Sequence, residues 1–116
     1  PGHVALETRN RRKGSFLVLY AIMAEDAPNS LERRLAVRPQ HLPRVQKLVD
    51  EGRLLCGGAF PAIDNMDPGP AGFTGSLIVA EFPSLQEAEA WIKADPFYTE
   101  GVYAKVVVKP YRKALP

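Results

Sequence analysis

The apolar residues fall into two patterns, continuous runs and stripes at helical spacing, and their order predicts a fold. Residues 16–24, FLVLYAIMA, form an unbroken apolar run rich in aromatic and branched side chains, as expected of a central strand covered on both faces. Turn formers Asp26, Pro28 and Asn29 close it. Asn29 and Glu32 have the spacing of a capping box, and Leu31, Leu35, Leu42, Val45 and Val49 recur at helical intervals. Gly52 marks the end of that helix. RLLCGGAF then predicts a short strand, with Gly57 and Gly58 taken as a bulge or turn.

A loop dense in Pro, Gly, Asp and Asn follows, and residues 73–82 predict a third strand. Ser84 and Glu87 form a second capping box ahead of the stripe Leu85, Ala88, Trp91 and Ile92. ADPFYTEG is taken as a turn, and VYAKVVVKPY as a last strand ended by Pro110. The resulting β-α-β-β-α-β order predicts an α+β, ferredoxin-like sandwich with both helices on one face of the sheet. The strands are too apolar for the other face to remain wet, so a second copy of the chain is expected there.

Composition narrows the setting. A chain of 116 residues, 46% hydrophobic and 24% charged, is the size of one globular domain. No apolar run approaches the ~20 residues of a membrane span. The single cysteine, Cys56, excludes an internal disulfide, fits a reducing compartment such as the cytoplasm, and is expected as a small buried hydrophobe. The net charge of +2 is carried by residues 1–15, whose composition is that of a leader outside the folded domain of residues 16–116. That domain has 11 basic and 12 acidic side chains, a balance that argues against nucleic acid as a partner.

Candidate chemistry centres on RPQHLPR, residues 38–44, which holds the only histidine outside the leader. On a projection of about 100° per residue from Leu31, Val49, Leu42 and Leu35 fall within about 40° of zero. On the same projection Arg34, Arg38 and His41 fall at about 300°, 340° and 280°, within or beside the apolar face. Polar groups aimed at a sheet need partners or line a cavity, since burying them bare costs about 1–3 kcal/mol each. Pro39 and Pro43 predict a kink or restart of the helix at Arg38–Pro39. His41 would then lie in a first turn, where the positive dipole end favours neutral imidazole. Residue physics alone leaves His41 open between a site and a half-buried structural histidine. Asp26, at the mouth of the sheet, and Asp95, after the second helix, are candidate acids, and each also reads as an ordinary turn residue. One body histidine and one cysteine make no usual metal site, no cofactor is expected, and phosphate-binding loops and nucleophile elbows are absent from the sequence.

The segments SLERRLAVRPQHLPRVQKLVDEGRLLCGGAFPAID, DPGPAGFTGSLIVAEFPSLQEAEAW and ADPFYTEGVYAKVVVKPYRK resemble the bacterial YciI-like (YCII-related) family. The resemblance runs from about residue 16 to the C-terminus. It implies a dimeric ferredoxin-like α/β barrel with a cleft in each subunit. It also implies a His–Asp pair falling on His41 and Asp95, with Asp26 and Arg38 at other recurrent polar positions of the family. Gly58-Ala59 stands where the family often has Gly-Pro, and Pro43 is a further departure. Most members have no assigned reaction, while one branch is associated with dehydrochlorination of a hydroxylated ring.

A proton-transfer lyase or isomerase is therefore expected, with His41 as base, Asp95 orienting it, and Arg38, Arg34 and Asp26 contacting a small anionic or aromatic substrate. The alternative is a non-catalytic small-molecule binder using the same cleft. RNA binding, which the element order alone would permit, finds no basic-aromatic run on the third strand.

Overall fold

The computed structural model describes residues 17–116; the expected leader and Phe16 lie outside the described residues. The chain forms β1 (Val18–Asp26), α1 (Leu31–Asp50), β2 (Leu54–Pro61), β3 (Phe73–Phe82), α2 (Leu85–Lys93), α3 (Pro96–Thr99) and β4 (Tyr103–Tyr111). A 3-10 turn, Gly69–Ala71, precedes β3. The four strands make one antiparallel sheet in the order β2-β3-β1-β4, so the architecture is α+β with the expected main element order.

Period-two alternation decides which side of each strand meets the helices. Tyr20, Ile22 and Ala24 of β1 stand opposite Ala80, Ile78 and Ser76 of β3, and these positions face the helices. Val37 and Leu48 of α1, Ala88 and Ile92 of α2, and Phe97 of α3 complete one buried cluster with them. All three helices therefore cover one face. The opposite face presents Leu19, Ala21, Met23, Leu77 and Val107, each half-buried, together with Cys56 and Phe60, which are exposed. The expectation of a buried Cys56 is thus corrected: strand parity turns its thiol to the uncovered face.

Several local expectations change. Gly57 and Gly58 lie inside β2 and mark no turn; the register shift falls earlier, between Leu54 and Cys56. A glycine is required at Gly75, where any Cβ would strike the Ala24 carbonyl of the neighbouring strand. The expected turn at residues 94–101 contains the single-turn helix α3, capped by Asp95. Pro110 sits within β4 and does not end it, which is tolerated because β4 is an edge strand.

At the start of α1 the Asn29–Glu32 capping box does not form. Asn29 adopts φ 56° in the preceding turn, and Ser30 becomes the N-cap without a side-chain capping bond. The second box forms as expected, with the Ser84 hydroxyl accepting from the Glu87 N–H at 3.1 Å. Gly52, at φ 70°, terminates α1, donating to the Val49 carbonyl at 2.9 Å.

Candidate functional site

Helix α1 is continuous from Leu31 to Asp50, with Pro39 and Pro43 inside it. His41 accordingly sits in mid-helix, and the expected restart that would have placed it near a helix N-terminus does not occur. Both prolines lie on the exposed side, where the carbonyls they leave unbonded can meet water.

The buried stripe of α1 is Arg34, Val37, His41 and Leu48, with Arg44 and Val45 half-buried beside it. Steps of three and four residues carry this stripe along the helix, the spacing of one face. The apolar row taken as the face is rotated away from the sheet: Leu35, Leu42 and Val49 are 57%, 42% and 47% exposed. The projection was right about Arg34 and His41 and wrong about the centre of the face, which lies about 90° from Leu31. Long side chains ending in cations pass over aromatic rings here, so the core tolerates them at apolar positions.

Asp95 is wholly buried, at 0% exposure, and all its bonding capacity is used. Its oxygens each lie 2.9 Å from His41 Nδ1. Oδ2 also accepts from Arg44 Nη1 at 2.9 Å, and Oδ1 from the Phe97 N–H at 2.8 Å. Asp95 thus caps α3, as the turn reading expects, and also contacts the imidazole of His41. A carboxylate only accepts, so Nδ1 carries a ring proton, and in the neutral imidazole the lone pair then falls on Nε2. Nε2 has no hydrogen-bond partner among the described residues, while His41 lines a cavity of about 170 Å3. Phe97 stacks on the imidazole, with centroids 4.1 Å apart and planes 17° apart.

The cavity lies between α1 and β2. Arg34, Arg38, His41 and Leu42 form one wall, Gly57, Gly58 and Ala59 the other, and Ser76, Ile78 and Phe97 the base. Neither Gly57 nor Gly58 has a positive φ, and a Cβ at Gly57 would meet only ordinary contacts at 3.9 Å. Backbone geometry does not demand these glycines; Gly57, paired with helix-facing Ile78, leaves space in front of His41, while Gly58, paired with Leu77, faces the uncovered side.

Arg34 Nη1 donates to both Asp26 oxygens, at 2.8 and 2.6 Å, and Nη2 donates to Ser76 Oγ at 2.7 Å. Its guanidinium also lies over the rings of Phe97 and Phe73, at 4.9 and 5.3 Å. Burial pushes the Asp26 carboxyl above its usual range, against the opposing pull of Arg34. Asp26 is turned away from His41 and faces an adjoining groove over the start of α1. Of the five residues singled out in the sequence, Arg34, Arg38 and His41 share the cavity, Asp95 stands behind His41, and Asp26 stands behind Arg34. Arg38 is exposed and has no hydrogen bond or ion pair among the described residues, so its charge is uncommitted.

Arg44, Phe97, Ser76 and Tyr103 escaped the sequence reading. Arg44 follows His41 by three residues on the same stripe, a spacing that could have revealed it. It bonds the Trp91 carbonyl at 2.9 Å and covers the Trp91 ring at 4.7 Å. Tyr103 packs edge-on against Phe97 at 5.4 Å, and its buried hydroxyl makes no well-formed hydrogen bond, although the Ser76 hydroxyl, which accepts from Arg34, lies beside it. Burial pushes that phenol up to about 12. Among the described residues no three His, Cys, Asp or Glu side chains converge as metal ligands would.

A helix-covered antiparallel sheet with a His–Asp contact beside a small cavity defines the class, a compact α+β domain. The profile of the YCII-related domain matches residues 18–112, and the chain belongs to that family. Protein YciI of Escherichia coli is 58% identical over 96 residues, covering 83% of this chain and 98% of the relative. An uncharacterised protein of Haemophilus influenzae is 54% identical over 94 residues, covering 81% and 96%. The 5-chloro-2-hydroxyhydroquinone dehydrochlorinase of Burkholderia phenoliruptrix, solved with 2,5-dihydroxybenzoquinone, is similar in structure with a TM-score of 0.72 at 27% identity. That likeness covers 83% of this chain and 95% of the other. No helix of the described residues is long and apolar enough to cross a membrane.

Proposed function

We propose that the protein is a small-molecule enzyme of the proton-transfer type, a lyase or isomerase, in which His41 is the general base. The observation that carries this reading is the His41 geometry: Nδ1 is held by a buried carboxylate and Nε2 is unpartnered at a cavity. Asp95 fixes the tautomer and stabilises the imidazolium that forms when Nε2 takes a proton. Arg38, uncommitted at the cavity wall, holds an ionised oxygen of the substrate. Arg34 has its donors occupied by Asp26 and Ser76, so its part is to shape the base of the cavity.

The dehydrochlorinase likeness supports a planar, hydroxylated ring as the substrate class. Loss of HCl from such a ring releases a proton to a base and chloride with its bonding electron pair, and His41 is placed to serve the first of these. The uncovered apolar sheet face supports a ferredoxin-like barrel closed by a second copy, and the single cysteine supports a reducing setting, the cytoplasm.

Incubation with 5-chloro-2-hydroxyhydroquinone, followed by chloride release, tests the reaction. Wild type should release chloride faster than buffer, and His41→Ala should fall to the buffer rate. If 2,5-dihydroxybenzoquinone binds but a panel of ring and carbon-acid substrates shows neither chloride release nor deuterium exchange, the protein is a binder and the catalytic reading fails.

A further inference from the structure

Phe97 is approached by two side chains of α1. His41 stacks on it at 4.1 Å, and the Arg34 guanidinium carbon lies 4.9 Å from its centroid. Residues 34 and 41 are two helical turns apart, about 10 Å along the axis, which is the separation needed to clasp one ring from either side. The surroundings are dry: Arg34, His41 and Phe97 are 5%, 8% and 1% exposed. Arg34 is permanently charged and already occupies the electron-rich ring. A charge developing on His41 would meet a like charge across that ring, with little water to screen it.

Other groups facing His41 come from every neighbouring element. Asp95 favours imidazolium, and Arg44, bonded to the same carboxylate, offsets part of that pull. Arg38 borders the cavity but is exposed and screened. Asp26, on β1, lies beyond Arg34 and is ion-paired with it. From β2 and β3 the cavity receives Gly57, Gly58, Ala59, Ser76 and Ile78, none of which titrates in the ordinary range. Tyr103 of β4, against the Phe97 edge, is neutral there because burial pushes its phenol to about 12.

We infer that Arg34 is a positioning residue for the base: acting across the Phe97 ring, it opposes the protonation of His41 that Asp95 favours. The free lone pair on Nε2 is thereby favoured, and the proton it accepts is more readily returned. This rests on His41 being the proton acceptor proposed above, but its measurement requires no turnover, so the two can fail separately.

The test is an NMR titration of the His41 ring in the full chain, the resonance being assigned by its loss in His41→Gln. The decisive variant is the double Asp26→Asn/Arg34→Met, which removes the cation without leaving a bare buried carboxylate. Its titration midpoint should rise by about 0.3 unit or more, roughly a doubling of proton affinity. Arg34→Lys, which keeps the charge and loses the fork, should stay within about 0.1 unit of wild type. A midpoint in the double variant that is unchanged or lower overturns the inference. So does a rise in Arg34→Lys equal to that in the double variant, since the effect would then come from packing and not from charge.

Discussion

His41 and Asp95 are joined through one ring nitrogen and both carboxylate oxygens, each at 2.9 Å, while the same carboxylate caps α3 through the Phe97 N–H. One buried acid therefore caps a helix and, in the proposed mechanism, orients the base, and substitutions can separate the two. Asp95→Asn keeps the shape and an oxygen for the cap, but its amide can present N–H to Nδ1 and favour the opposite tautomer. Activity should fall by about 100-fold or more with the thermal midpoint little changed. Asp95→Ala should also lower stability, by about 1–3 kcal/mol, because it uncaps α3 and strands Arg44. Parallel rate and melting measurements distinguish the two; equal losses in both variants would refute the division of tasks.

Gly57 offers a steric test of the cavity. A Cβ there meets only Leu54 and Ile78 at 3.9 Å, so Gly57→Val should leave the fold intact. Its methyls enter the 170 Å3 space before His41. Binding of 2,5-dihydroxybenzoquinone, followed by absorbance, should weaken at least about tenfold, and undiminished binding would place the ligand elsewhere.

Tyr103 links burial to alkaline stability. Its phenol is raised from 10 to about 12, chiefly by burial, so the folded chain holds that proton more tightly than the unfolded chain does. The sign follows: stability from this group is complete below about pH 10 and is lost as pH rises through about 12. Tyr103→Phe should flatten that alkaline slope. At neutral pH it removes an unpartnered buried hydroxyl and should stabilise by about 1 kcal/mol. Denaturant melts at pH 7 and pH 11 check both effects, and destabilisation at pH 7 would reveal a partner for the hydroxyl.

Pro39 and Pro43 withhold two N–H donors from the middle of α1. Alanine at either position restores a donor, to the carbonyls of Leu35 and Pro39 respectively. Each replacement should raise stability, by up to about 3 kcal/mol. A loss in urea melts would mean that the proline rings pack against something on this exposed face.

Much of the fold is legible in the chain. The four apolar runs, the Ser84–Glu87 box and Gly52 place strands and helix ends where the structure has them. The rotation of α1 is not legible from hydrophobicity, because the side chains it buries include Arg34 and His41 while Leu35, Leu42 and Val49 remain exposed. Those polar groups are admitted by partners far away in sequence, namely Ser76, Asp95 and Phe97, which no local pattern announces. Phe97 was hidden for a related reason, and Asp95 was legible from residue physics only as one of two candidate acids. Four residues of helix have no periodicity to detect, and a cap before proline looks the same whether or not its carboxylate has a second task.

The two carboxylate contacts of the site differ in what they demand of a folding chain. Asp26 and Arg34 are 8 positions apart and can meet once β1 turns into α1. His41 and Asp95 are 54 positions apart, and β2, β3 and α2 all lie between them in the chain. Closing that loop costs entropy that only the assembled sheet and helices repay. A half-folded chain can hold its arginine pair but not the His41–Asp95 contact, so the cavity wall is complete only when the whole domain is in place. The His41–Asp95 contact is in that sense a mark of the chain's own completion.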